Sequence, residues 1–320
     1  MEQLFTLTGR AYLLGITGAP GTGKSSLVNE LVVHMRKTLE LRIAIVAVDP
    51  TSPFSGGALL GDRIRMHDLY GDEGVFIRSM ASRGAIGGLA LRTAAVVSAL
   101  DAAGFELIII ETVGAGQTEV DISRLAHTVV VVEAPGLGDE IQAIKAGILE
   151  IADILVVNKA DLPGAENTQR ALEAMLSGGQ SQSNARERYH HGFSSMADQK
   201  NGQDMPVETA NQRAANWITP VLKTSANQRD GIEALAKVIL DHKRYIMENG
   251  LREQKDKVRL FTELRGLIRE SLYGQWLGLH DELELQQELA LIYERKKSPQ
   301  EFVKTNVKIA LNDSGKNATL

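Results

Sequence analysis

Cysteine is absent from the 320-residue chain. That removes disulfide bridges, thiolate metal sites and cysteine nucleophiles together. Long apolar runs are also missing, since none approaches the roughly 20 residues that a membrane-spanning helix needs. The opening stretch, Met1 to Arg10, lacks the basic segment and apolar core of a secretory leader. A cytoplasmic protein that binds no membrane is the expectation. Nor is there an excess of positive charge. With 35 Lys and Arg against 40 Asp and Glu, the net charge is −5, so no nucleic-acid partner is expected. Proline is sparse, 8 residues beside 30 glycines, which favours tight turns or phosphate loops built on glycine. The remaining composition, 43% hydrophobic and 23% charged, excludes a disordered, collagen-like or fibrous chain.

What is present is an alternation of strand-like and helix-like segments. Leu13 to Thr17, Ile43 to Val48, Leu107 to Ile110, Thr128 to Val132, Ile154 to Val157 and Ile218 to Leu222 are short, aliphatic and mostly continuous. Continuous apolar runs suit strands buried on both faces of a parallel sheet. Helical patterns fall between them at Leu27 to Leu39, Leu89 to Ala102, Glu140 to Glu150 and Ile232 to Ile246. The expected fold is therefore α/β, a mostly parallel sheet flanked by helices. Asp230 and Glu233 fit a capping box ahead of Ile232, and Ser298, Pro299 and Glu301 mark the start of a last short helix. Ser177 to Ala215, rich in Gly, Ser, Gln, Asn and His, reads as a long polar loop. From Leu251 onward no strand pattern recurs. Leu260, Phe261, Leu264, Leu267, Ile268 and Leu272 form an apolar helical stripe that either packs on its own domain or makes a dimer seam. The domains expected are residues 1–249, carrying the sheet, and residues 250–320, a helical arm.

One motif dominates the chemistry. Gly18, Ala19, Pro20, Gly21, Thr22, Gly23, Lys24 and Ser25 match the phosphate-binding pattern G-x-x-x-x-G-K-[ST] in full, after a strand and before a helix. Glycines let successive N–H groups face phosphate oxygens, and the helix start adds partial positive charge. Lys24 can bridge the terminal phosphates, and the Ser25 hydroxyl can ligate Mg²⁺. Ser26, the next residue, is counted among the nucleotide-binding residues. Asn158-Lys159-Ala160-Asp161 follows a strand. The Asp161 carboxylate can accept two hydrogen bonds from the guanine edge, which adenine cannot supply. Asn158 can reach the base's other edge, and the Lys159 stem can cover the ring. Thr224, Ser225 and Ala226 resemble a guanine-supporting loop.

Mg²⁺ and water need acids. Asp49 and Glu111 end buried strands, and Asp62 lies in G-G-A-L-L-G-D-R-I-R. Strand ends form the rim where such sheets bind ligands; the alternative for each acid is to cap its own loop. Gly114 can present its N–H to the terminal phosphate, making Val113 to Glu119 a nucleotide-sensing loop. Gln117 does not immediately follow Gly114 and is not assigned as a catalytic glutamine. Any of Glu111, Asp62 or Asp139 can position the attacking water.

Together with A-V-D-P-T-S-P-F-S-G-G-A-L-L-G-D-R-I-R-M (Ala47 to Met66), R-S-M-A-S-R-G (Arg78 to Gly84), E-T-V-G-A-G-Q-T-E (Glu111 to Glu119) and A-P-G-L-G-D-E-I-Q-A-I-K-A-G (Ala134 to Gly147), these motifs resemble the MeaB/ArgK-type GTPases of the SIMIBI class. The resemblance spans roughly Gly15 to Trp217, apart from the long loop, and is weaker beyond. It implies a P-loop NTPase with a C-terminal helical dimerisation arm, Mg²⁺-dependent GTP hydrolysis and a homodimer. It also implies a chaperone role toward an adenosylcobalamin-dependent acyl-CoA mutase, typically methylmalonyl-CoA mutase. By the same resemblance, Ser25, Asp49, Asp62 and Glu111 form the Mg²⁺ environment, directly or through water. Arg65 approaches the phosphates, and Asp139 and Lys145 lie in a switch coupling nucleotide state to the mutase. Two other readings stand beside this one. A nickel-delivery GTPase needs Cys and His clusters that the chain does not offer, and a small-molecule kinase linked to basic amino-acid transport needs an acceptor pocket.

Overall fold

The structure of the chain, a computed structural model, describes residues 2–49, 66–69, 71–81, 88–112, 122–136, 146–179, 217–278 and 280–304. The elements run α1 (Glu2–Phe5), β1 (Tyr12–Thr17), α2 (Lys24–Leu39), β2 (Ile43–Asp49), β3 (Val75–Ala81), α3 (Gly88–Ala102), β4 (Leu107–Thr112), β5 (Thr128–Glu133) and α4 (Ala146–Ile151). They continue with β6 (Ile154–Val157), α5 (Ala165–Gly179), β7 (Val221–Lys223), α6 (Ile232–Glu248), α7 (Leu251–Gly278) and α8 (Glu282–Tyr293). A short 3₁₀ turn, His67–Leu69, precedes β3.

The seven strands form one sheet in the order β3-β2-β4-β1-β5-β6-β7, and every strand pair is parallel. The α/β expectation holds, and the reason is visible in burial. Along β1, Tyr12, Leu14 and Ile16 face a core shared with Leu27, Leu31 and Met35 of α2 and Leu235 and Ile239 of α6. Leu13 faces the opposite core, with Val97 and Leu100 of α3 and Leu172 of α5. Both faces are covered, so the inner strands need apolar residues along most of their length.

Three expectations change. Val75–Ala81 is an added edge strand, paired with Ile43–Asp49; Arg78 and Ser79 cut its apolar run to three residues, unlike the longer runs of the inner strands. The capping box does not form, because Gly231, at φ 71°, is the α6 N-cap and no side chain caps it. Ser177 to Gly179 belong to α5; the remainder of the expected polar loop lies outside the described residues. At the far end, the Glu301 N–H does donate to Ser298 Oγ at 3.0 Å, as the sequence proposed.

The chain divides into two compact units, residues 1–260 and 261–320. In the second, Trp276 lies against Tyr273, His280 and Phe302, and Lys297 pairs with Glu288 at 2.7 Å. No residue of α7 or α8 is buried within the chain. Leu264, Leu267, Ile268 and Leu272 are each at least half exposed.

Candidate functional site

β1 is flanked by β4 on one side and β5 on the other. The chain leaves β1 toward β2 and β3, returns to β4, then crosses to β5, β6 and β7. The crevice over the carboxyl end of β1 is thus the switch point where open α/β sheets bind ligands. Gly18 to Gly23 fill that position, and α2 starts immediately at Lys24.

Two glycines there have physical reasons. Gly18 has φ 141°, and a Cβ on it would lie 2.0 Å from the Val132 carbonyl oxygen. Gly23 has φ 86°, and a Cβ on it would meet Asn158 Nδ2 at 2.6 Å. Gly23 is also the N-cap of α2, with no side-chain cap and no acid in the first turn. A helix start capped by glycine, with no acid in its first turn, is the kind of arrangement that receives a phosphate group. Lys24 is buried, and its Nζ donates to the Gly18 and Ala19 carbonyls, each at 2.8 Å.

Ser25 Oγ donates to Glu111 Oε1 at 2.7 Å. Both side chains are buried, 6% and 4% exposed. Glu111 is brought there by register, since it pairs with Ile16 of β1 and Ala47 of β2. A hydroxyl and a carboxylate at a helix N-terminus are hard oxygen donors and suit Mg²⁺. Asp49 ends β2 beside that strand. Asp62, Arg65, Gly114, Asp139 and Lys145 lie outside the described residues, as does the side chain of Asp49. Thr17 and Thr112, which the sequence reading passed over, join the ends of β1 and β4 by a 3.0 Å hydrogen bond.

The second half of the site comes from the ends of β6 and β7. Asn158, 1% exposed, donates through Nδ2 to the Thr22 carbonyl at 2.9 Å. Its Oδ1 accepts from Thr224 Oγ1 at 3.1 Å and from the Ala226 N–H at 3.3 Å. The structure thus gives Asn158 partners other than a base edge: it straps the phosphate loop to the Thr224–Ala226 loop. Lys159, at φ 58°, donates from Nζ to the Gly21 carbonyl at 2.7 Å. Asp161 is exposed and accepts at Oδ1 from Ser225 Oγ. Gly23, Ser26, Asn158, Lys159, Asp161, Ala226 and Asn227 line one cavity. Asn227 carries no motif of its own, and only the fold brings it there.

Far from this crevice, at the amino ends of the strands, lies a buried polar network that no motif announced. His127 Nδ1 accepts from the Leu13 N–H at 3.0 Å, so the neutral ring carries its proton on Nε2 and donates it to Asp256 Oδ1 at 3.1 Å. Burial, partly opposed by Asp256, pushes the His127 pKa down. His242 Nδ1 shares a proton with Thr128 Oγ1 at 2.7 Å, and Thr128 also bonds the Tyr12 hydroxyl. His242 Nε2 faces Asp153 at 3.4 Å. Burial, opposed by the charge of Asp153, pushes His242 down to about 4. Lys255 of α7 donates to the His127 carbonyl at 2.7 Å, and Arg252 reaches the Gly9 and Arg10 carbonyls. These contacts fix the first turns of α7 on the sheet unit.

The family model described as "Methylmalonyl Co-A mutase-associated GTPase MeaB" matches residues 1–279. A Pyrococcus abyssi protein named as a GTPase is 42% identical over 275 residues, covering 86% of this chain and 76% of that protein. The GTPase ArgK of Escherichia coli is 30% identical over 281 residues, covering 88% and 76%. Among solved structures, one described as an LAO/AO transport system kinase aligns with a TM-score of 0.60 at 23% identity, over 96% of this chain and 84% of that one. That likeness carries the fold.

Proposed function

The chain belongs to the MeaB family of methylmalonyl-CoA mutase-associated GTPases, and from that premise we propose that it hydrolyses GTP to gate and protect an adenosylcobalamin-dependent acyl-CoA mutase in the cytoplasm. The observation that carries the nucleotide half is the Asn158 strap. It brings the phosphate loop, Asp161 and the Thr224–Ala226 loop around one cavity. In this reading Asp161, which accepts from Ser225 Oγ, also accepts from the N1–H and amino group of guanine. The loop amides and Lys24 receive the phosphates and stabilise the charge that develops on them.

Ser25, Asp49, Asp62 and Glu111 are the residues that would hold Mg²⁺, which when bound neutralises phosphate charge. Water attacks the γ-phosphorus in line, the bond to the β–γ bridging oxygen breaks, and GDP and phosphate leave. Arg65 faces the phosphates in this reading, Gly114 senses the terminal phosphate, and Asp139 and Lys145 relay nucleotide state to the partner. The half-exposed stripe Leu264, Leu267, Ile268 and Leu272 supports the dimer-seam reading of α7, so the working unit is a homodimer.

The test is steady-state phosphate release with and without the cognate mutase. The mutase should raise turnover by about tenfold, equivalent to ~1.4 kcal/mol of barrier. Lys145→Ala should lose most of that stimulation while still binding GTP. A mutase that binds in no nucleotide state would overturn the chaperone reading and leave a stand-alone GTPase.

A further inference from the structure

The segment Thr224 to Gly231, between β7 and α6, folds into a closed turn. Ser225 and Asp230 exchange N–H to carbonyl bonds of 3.0 and 3.1 Å, and the Arg229 N–H reaches the Ala226 carbonyl at 3.4 Å. Ala226 and Asn227, on this turn, line the base cavity. Arg229 closes it in the left-handed region, φ 59°, which a long side chain adopts only at an energetic cost.

That conformation sends its side chain to the phosphate-loop helix. Arg229 Nε lies 2.9 Å from Glu30 Oε2. Glu30 is only 13% exposed, and its other oxygen accepts from Asn29 Nδ2 at 3.2 Å. Glu30 stands four residues after Ser26 on α2, so the two share a helix face, and Ser26 lines the same cavity. The carboxylate therefore holds the outer wall of the cavity to its inner wall. Nothing in the hydrolysis chemistry uses either residue.

We infer that the Glu30–Arg229 ion pair is a clasp on the base cavity, a pair of positioning residues that sets how long a guanine nucleotide stays bound. The inference rests on the guanine-nucleotide reading given above. Arg229 is 67% exposed, so solvent screens the pair and its effect is a few-fold rather than all-or-none. Because the clasp touches the base end and not the phosphates, opening it changes nucleotide retention and not the chemical step.

The experiment uses the full chain and a fluorescent GDP analogue, with dissociation followed by stopped flow and GTP turnover at saturation. Glu30→Ala removes the carboxylate from a helix that tolerates alanine. Arg229→Gly removes the guanidinium and accepts the left-handed backbone without strain. Each should speed dissociation by about threefold to fivefold, raise KM alike and leave kcat within about twofold. The double variant should be no faster than either single one, Arg229→Lys should recover part of the retention, and high salt should erase part of the wild-type advantage. Additive single effects, or unchanged dissociation with a lowered Tm alone, would overturn the clasp. Wild-type protein that fails to bind guanine nucleotides would overturn the nucleotide reading and the clasp with it. Normal wild-type binding with unaltered release in both variants would overturn the clasp only.

Discussion

Acidification from about pH 7.5 to about pH 5 should cost the sheet-bearing unit roughly 2 kcal/mol through His242 alone. In the unfolded chain this imidazole titrates at its ordinary 6.5; in the fold, burial, against the opposing charge of Asp153, takes it down to about 4. The unfolded state therefore binds more protons between those two values, so stability falls as pH falls through that window and is whole above it. Integrating the difference in bound protons down to about pH 5 gives roughly 2 kcal/mol. His127, also pushed down by burial, adds in the same direction. Asp256 is held low, where burial, which raises it, is outweighed by His127, Arg259 and Arg252. As a depressed carboxylate it gives up its contribution only at lower pH, outside this window.

The chain has two tryptophans, and Trp217 lies 4.7 Å edge-on from His242. A Trp276→Phe background therefore leaves Trp217 as a fluorescence reporter beside the titrating ring. Urea melts at several pH values give the free energy directly. His242→Gln should be less stable at neutral pH yet lose about 2 kcal/mol less than its parent on acidification. Parallel pH dependences in parent and variant would refute the assignment of that loss to His242.

Three further outcomes follow from the same structure. Asp161→Asn should weaken GTP binding by about 1.5–3 kcal/mol, the range for a hydrogen bond to a charged group, and shift preference toward xanthosine triphosphate, read by competition binding; equal ATP and GTP affinity in the unaltered protein would defeat the guanine assignment. Gly18→Ala should abolish tight nucleotide binding or folding, because a methyl group would lie 2.0 Å from the Val132 carbonyl oxygen in a left-handed backbone; calorimetric titration and melting separate the two, and wild-type behaviour in both would contradict the loop geometry. Leu264→Glu with Ile268→Glu, on the exposed stripe of α7, should leave a monomer at tens of micromolar, roughly where weak interfaces dissociate, by sedimentation; an unchanged oligomer would place the seam elsewhere.

The local chemistry was legible from the chain alone because its requirements are local. Gly18 to Ser25 had to follow a strand and open a helix, and it does. Six of the seven strands announced themselves because a doubly covered parallel sheet demands apolar residues in succession. Val75–Ala81 escaped for the converse reason: at the sheet edge Arg78 is exposed and, with Ser79, cuts the apolar run to three residues. The sequence also put Asp230 and Glu233 in a plausible capping box, but the Ser225–Asp230 pairing took Asp230 into a turn and left the cap to Gly231.

Partners far apart in the chain were invisible beforehand. His127 and Asp256 are 129 positions apart, Thr128 and His242 are 114 apart, and Glu30 meets Arg229 across two elements. A lone histidine or glutamate carries no pattern, since its role depends on what the sheet register and helix packing bring within hydrogen-bond reach. The sequence by itself determined which segments could be strands, which loop could hold phosphate and which carboxylate could read a base. Tertiary structure alone decided that Asn158 straps two loops together, that the first turns of α7 are tied to the sheet, and which buried rings are held neutral, because each depends on burial and contact that exist only once the chain has closed on itself.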